Sequence, residues 1–195
     1  ETGLDEIPDE QSHLPLNIQE WGMLDRDRSE RILASNLAED DSFEGAYVQA
    51  LLREIPAESL LFSANSMAIR AVDEFYFTRG KRLTVLANRG LNGIDGTVSS
   101  AFGAAQEFKQ TVFLTGDLTF LHDMNALALQ EEMLLQEKEG MHRPSIVIVL
   151  LNNQGGAIFD MLPQQSKEAY FERLFLTPQH VDFCAVAQAF GAVSY

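Results

Sequence analysis

Four short apolar runs, each released directly into a polar or glycine-rich loop, constrain this chain more than any other feature. They are LLFSA (60–64), LTVLA (83–87), TVFLT (111–115) and SIVIVLL (145–151). The segments between them place apolar residues near helical spacing. A strand that reads as a continuous apolar run, not an alternating one, is buried on both faces. Buried strands alternating with helices give an α/β domain, three-layered α/β/α with a mostly parallel sheet. Helices are expected over Phe43–Ile55, ended by Pro56, and from Asn65 or Ser66, as N-cap, to Phe77. Further helices are expected over 97–108, as one strong helix over 123–139 ended by Gly140, and over 168–175 and 181–190. VSY (193–195) can begin a further strand.

In such sheets ligands gather outside the carboxyl ends of the strands. Every polar or glycine-rich feature falls there: ANS (64–66), NRGLNGIDG (88–96), GDL (116–118) and NNQGG (152–156). A lone Gly-Asp is usually a turn, and so is a lone Asn-Asn-Gln-Gly-Gly. In this order, each directly after a buried strand, they suit magnesium and diphosphate. Magnesium wants near-octahedral oxygen ligation and keeps phosphate oxygens and water among its ligands. Asp117 offers a carboxylate, Asn153 a neutral carbonyl, and the backbone at Gly155 a third oxygen that glycine leaves approachable. The helix expected after Gly116, Asp117 and Leu118 adds free amides for a phosphate.

Composition narrows the partners. A chain of 195 residues with 46% hydrophobic and 22% charged residues can bury one sizeable core. The formal net charge is −15, with seven acids and no Lys or Arg in the first 25 residues. Such a surface repels phosphate backbones and argues against nucleic acid. No apolar run reaches membrane-spanning length, and ETGLDEIPDE is not a secretory signal. The single Cys184 excludes an internal disulfide and fits a cytoplasmic location. Residues 1–42 read as an acidic tail or linker, and 43–195 as the folded domain.

The motif pair resembles that of thiamine-diphosphate enzymes: Gly-Asp, a helix and a strand, then Asn-Asn. The spacing from Asp117 to Asn153, 36 positions, is longer than most of that superfamily shows, with QEKEGMHR (136–143) as the extension. Leu118 stands where the superfamily usually has glycine. GDLTFLHDMNALAL, NRGLNGIDG, ANSMAIR, NNQGGAIFDMLPQ and YFERLF together resemble the C-terminal cofactor domain of the 2-succinyl-5-enolpyruvyl-6-hydroxy-3-cyclohexene-1-carboxylate synthases (the MenD family), from about Phe43 to Tyr195. The resemblance implies the thiamine-diphosphate-binding fold, thiamine diphosphate with Mg2+ (or Mn2+) as cofactors, and a role in menaquinone biosynthesis. The implied reaction decarboxylates 2-oxoglutarate and adds the succinyl unit to isochorismate, with the cofactor as electron sink.

Roles carry over by position. Asp117, Asn153 and Gly155 match the metal ligands. Asn65, Ser66, Ile94, Gly116, Asp117, Leu118 and Asn153 match cofactor contacts. Ser66, Arg70, Arg89, Ile158 and Phe159 match substrate contacts. Arginine suits this chemistry independently, because carboxylate substrates approaching an acidic chain need local cations and a guanidinium fork fits a carboxylate. The resemblance places the cofactor-activating glutamate on a pyrimidine-binding domain that this sequence lacks, so no catalytic residue is assigned. The central domain and the closing strand and helix of the cofactor domain are also expected elsewhere. The chain therefore reads as a truncated fragment, inactive alone, of a homodimeric or homotetrameric enzyme.

Two other functions fit the motifs: another thiamine-diphosphate enzyme, such as an acetolactate synthase or 2-oxoacid decarboxylase, or a non-catalytic cofactor-binding or interaction module. His122 and Asp123 read as residues of a helix start, with Asp123 as its cap. Cys184 reads as a buried, inert thiol. Met124, Met133 and Met161 read as core or pocket lining.

Overall fold

In the computed structural model, residues 16–34, 44–76, 81–166 and 168–195 are described. Strands β1 (Leu60–Ser63), β2 (Thr84–Ala87), β3 (Gln110–Gly116) and β4 (Ser145–Leu151) form one sheet in the order β2-β1-β3-β4. All three pairings are parallel. Leu60 lies beside Thr84 on one side and Thr111 on the other, and Gly116 at the end of β3 lies beside Leu151. Every residue of β1, and Thr111 to Thr115 of β3, is buried. Successive side chains of a strand point to opposite faces, so both faces of these two central strands are covered.

The covering helices follow the strands in turn. They are α3 (Met67–Phe75) after β1, α4 (Thr97–Ala105) after β2, α5 (Asp117–Asp123) and α6 (Leu129–Lys138) after β3, and α8 (Phe183–Ala189) near the end. Helix α2 (Glu44–Glu54) precedes β1 and packs against α3. Its Val48, Leu52 and the following Ile55 join Leu60, Leu61, Phe113 and Leu114 in the core. Edge-to-face ring pairs at 5.9 Å link Phe62 to Phe113 across the sheet, and Phe120 of α5 to Phe183 of α8. Such pairs add specificity beyond their buried area.

The expected helix over 123–139 is broken. Helix α5 starts at Asp117, directly off β3, and a 3-10 segment, Met124–Ala128, separates it from α6. Asp123 leaves helical conformation at the break, with φ −127° and ψ 22°. Its carboxylate Oδ2 accepts 2.8 Å and 2.7 Å hydrogen bonds from Ser99 N–H and Oγ–H, at the start of α4. Asp123 thus caps a helix start, but that of α4 and not of its own segment.

Three further differences are local. The segment expected as a helix over 168–175 is one α-turn, α7 (Glu168–Phe171), followed by a π-turn, Glu172–Leu176. Val193–Tyr195 form no strand. Helix α1 (Leu16–Ala34) lies within the stretch read as tail or linker, for which the sequence named no element. Its Ile18, Trp21, Met23 and Leu24 are exposed, whereas Ile32 packs against the core. It meets the domain near its end, with Gln49 Nε2–H donating to the Ile32 carbonyl and Arg28 lying 4.0 Å from Glu74. The rest of the stretch, residues 1–15 and 35–42, lies outside the described residues.

Candidate functional site

The strand order places a switch point between β1 and β3. After β1 the chain moves to one side of the sheet, and after β3 to the other, which opens a crevice at the carboxyl ends of these two strands. All the candidate metal, cofactor and substrate residues named from the sequence border one cavity at that place, of about 370 Å3. They are Asn65, Ser66 and Arg70 after β1, Arg89 and Ile94 after β2, Gly116, Asp117 and Leu118 after β3, and Asn153, Gly155, Ile158 and Phe159 after β4.

Asp117 is the electrostatic centre. It is 2% exposed, and each carboxylate oxygen accepts a backbone hydrogen bond: Oδ1 from Leu118 N–H at 2.7 Å, Oδ2 from Gly155 N–H at 2.6 Å. Burial pushes its carboxyl above the ordinary value of 3.8, and the backbone N–H bonds from Leu118 and Gly155 pull the other way. A carboxylate has about four acceptor positions, so two amides leave room for a cation.

The loop after β4 brings Gly155 there. Asn152 Oδ1 accepts from Gln154 N–H at 3.1 Å in a tight turn, and Gln154 adopts φ 62°. Gly155 has φ 134°, and a Cβ there would drive into the Leu176 carbonyl oxygen. Gly156 N–H donates to the same carbonyl at 2.7 Å. The loop is therefore pressed against the π-turn, and only glycine fits at Gly155. Phe159 and Phe175 stack edge to face at 5.7 Å, so the π-turn also backs the apolar wall of Ile158 and Phe159.

Asn65 is 3% exposed and ties two loops together, its Nδ2–H donating to the Gly93 carbonyl at 2.7 Å. Its Oδ1 accepts a long 3.4 Å contact from Arg89. Thr97 Oγ–H bonds the Ile94 carbonyl at 3.1 Å, and Ser100 Oγ–H bonds that of Gly96 at 2.7 Å, so α4 fixes the 88–96 loop. Ser66 stands at the N-cap position of α3 without a side-chain cap, at φ 65° and ψ −133°. Neither Asn65 nor Ser66 therefore caps α3 with its side chain. A serine in that region is strained, and such residues cluster at ligand sites. Arg70 Nη1–H donates to the Ser66 carbonyl at 2.8 Å, one helical turn back.

Glu44, Met67, Asn92 and Thr119 also border the cavity. No local signal marks Glu44, which comes from the helix before β1. His122 is exposed and lies outside the cavity. Cys184 is exposed, not buried, because α8 turns Phe183 toward the core instead. Met133 is core and Met124 packs against it, whereas Met161 is 70% exposed. Among the described residues no three or more His, Cys, Asp and Glu side chains gather as a metal cluster, and no helix is long and apolar enough to cross a membrane. The oxygens available at the cavity, from the carboxylates of Asp117 and Glu44, amide carbonyls and backbone, are hard donors suited to magnesium and not to a thiophilic metal.

The family model described as thiamine pyrophosphate enzyme, C-terminal TPP binding domain, matches residues 70–195. Curated relatives named 2-succinyl-5-enolpyruvyl-6-hydroxy-3-cyclohexene-1-carboxylate synthase include one from Desulfitobacterium hafniense, 49% identical over 162 residues. That alignment covers 82% of this chain and 28% of the relative. Those from Bacillus cytotoxicus and Geobacillus thermodenitrificans are 40% and 43% identical over 165 residues, each covering 85% of this chain and 27% of the relative. The chain thus spans little more than a quarter of the length of these relatives.

Proposed function

Since this chain belongs to the family of thiamine pyrophosphate enzyme C-terminal domains, we propose that it holds the diphosphate end of thiamine diphosphate for a 2-succinyl-5-enolpyruvyl-6-hydroxy-3-cyclohexene-1-carboxylate synthase. The reaction would be decarboxylation of 2-oxoglutarate and transfer of the succinyl unit to isochorismate in menaquinone biosynthesis. The observation that carries this reading is the buried Asp117 carboxylate. It is held by two backbone amides at the switch point of a parallel sheet, in a cavity that also presents two arginines.

In this reading Asp117, the Asn153 side-chain oxygen and the Gly155 carbonyl hold Mg2+, with Mn2+ as the alternative hard ion. Gly116 and Leu118 face the diphosphate. When bound, thiamine diphosphate supplies the electron sink for loss of CO2. Ile94 offers apolar support to the cofactor, on a loop pinned by Asn65 and α4. Arg70 and Arg89 bind substrate carboxylates, beside Ser66. Ile158 and Phe159 exclude water from the reacting end. The base that activates the cofactor is assigned to no residue of this chain. Residues 43–195 belong to the cofactor domain, and 1–42 are an acidic tail or linker. The enzyme acts in the cytoplasm as a homodimer or homotetramer, with no nucleic-acid partner.

The test is product formation by the full-length protein with thiamine diphosphate and magnesium. Turnover with 2-oxoglutarate plus isochorismate, and little with pyruvate, supports the reading. Turnover with pyruvate alone would assign the chain to a different enzyme of the superfamily.

A further inference from the structure

Glu44 opens α2, 109 positions before Asn153, yet Asn153 Nδ2–H donates a 2.7 Å hydrogen bond to Glu44 Oε1. Both residues border the cavity. Only the nitrogen of an amide can donate to a carboxylate, so this contact sets which way the Asn153 amide is turned. Its oxygen is the atom that Glu44 leaves free. Asn153 is exposed, on a loop shaped by its neighbour Asn152, so the bond to Glu44 is what orients its side chain among the described residues. A free amide would have to give up rotational freedom before its oxygen could hold a cation.

We infer that Glu44 is a positioning residue for Asn153, holding the amide so that the carbonyl oxygen faces a divalent cation. This rests on the proposal that Asn153 is a metal ligand. It adds to the site a residue from outside the sheet-end loops, anchored by a helix whose Val48 and Leu52 lie in the core. Position is thus imposed on an exposed loop side chain by a rigid element. Glu44 also brings negative charge to the cavity mouth, and charge and hydrogen bond are separable. Glu44→Gln retains an acceptor oxygen and loses the charge, whereas Glu44→Ala loses both.

The experiment titrates magnesium into the full-length protein at fixed thiamine diphosphate and follows cofactor binding by calorimetry. The unfolding temperature without metal is measured in parallel. Outer partners of metal ligands typically contribute 10- to 100-fold in metal affinity. Glu44→Ala is expected to raise the magnesium concentration for half-maximal binding by about tenfold or more. Glu44→Gln should give roughly half that shift on a logarithmic scale, because a neutral hydrogen bond is about half as strong as a charge-assisted one. An unchanged magnesium requirement in Glu44→Ala, with or without a lower unfolding temperature, overturns the inference and leaves Glu44 a structural residue of α2. Equal shifts in both variants overturn it too, because charge alone would then carry the effect. Asp117→Ala separates the two levels. If it abolishes magnesium-dependent binding while Glu44→Ala does nothing, only the role of Glu44 falls. If it leaves magnesium dependence intact, the metal reading falls and takes the inference with it.

Discussion

Replacing Gly155 by alanine should damage the fold and the site together. Gly155 sits at φ 134°, where an L-residue carries strain of about 1–3 kcal/mol. The added methyl would meet the Leu176 backbone carbonyl, which cannot rotate away as a side chain could. Moving the π-turn or the loop would stretch the 2.6 Å bond from Gly155 N–H to Asp117, a bond to a charged group worth about 1.5–3 kcal/mol. Together these give a destabilisation on the order of 3–5 kcal/mol, a large share of the 5–15 kcal/mol that typically holds a domain. For a domain of this size the unfolding transition should fall by roughly 6–20 °C. Gly103→Ala is the internal control. Gly103 lies exposed within α4, its Cβ would meet nothing within 4 Å, and alanine there should stabilise by about 0.5–1 kcal/mol. Calorimetric scans of the full-length protein and both variants make the comparison. A Gly155→Ala transition within about 2 °C of wild type, with unchanged magnesium-dependent cofactor binding, would refute the claim that this loop is jammed against the π-turn.

Other expectations follow from single contacts. Asp117 binds its proton more tightly in the folded than in the unfolded chain, because burial raises its pKa. Its contribution to stability is therefore fully present below the unfolded value of 3.8 and is lost as pH rises through the folded one. Without ligands, the stability of wild type relative to Asp117→Ala should shrink from acid toward neutral pH; a difference that grows with pH contradicts this sign. Arg70→Ala and Arg89→Ala should lower kcat/KM for the carboxylate substrates about ten- to hundredfold while thiamine diphosphate affinity stays near wild type. Wild-type kinetics in both would remove the arginines from the site. Asp123→Ala takes away both bonds to Ser99 and should destabilise by about 0.5–2 kcal/mol, as lost N-caps do. Hydrogen exchange should show the loss at the start of α4, and uniform loss elsewhere would count against the cap.

The sheet was legible in the sequence because its strands are continuous apolar runs, although only β1 and β3 proved buried on both faces and the edge strands β2 and β4 are partly exposed. LLFSA, LTVLA, TVFLT and SIVIVLL lie within a residue or so of the observed strands. The cavity was legible because loops at the carboxyl ends of parallel strands converge whatever their detailed conformation. The break at Asp123 was not, since it accompanies a bond to Ser99, 24 positions away, and local periodicity carries no trace of that partner. Cys184 was misplaced because a seven-residue helix of mostly small apolar residues can bury either side, and a ring contact from Phe183 to Phe120 decides which. Met161 stands in a 3-10 turn, where helical or strand patterning does not predict burial. Glu44 has no motif, and its relation to Asn153 exists only once α2 has docked. The positive φ of Ser66 has no glycine to announce it.

The strand order β2-β1-β3-β4 has a consequence for how the domain is made. As the chain leaves a ribosome, β1 emerges first, β2 adds to one of its edges, β3 to the other, and β4 to the outer edge of β3. Each newcomer joins a free edge, and no strand must be threaded between two that have already paired. The sheet can grow outward as fast as the chain is synthesised. Asp117 is made with Leu118 beside it but waits 38 residues for the amide of Gly155. Until that loop arrives its carboxylate remains in water, so this buried charge is closed off only after strands β1 to β4 have been made.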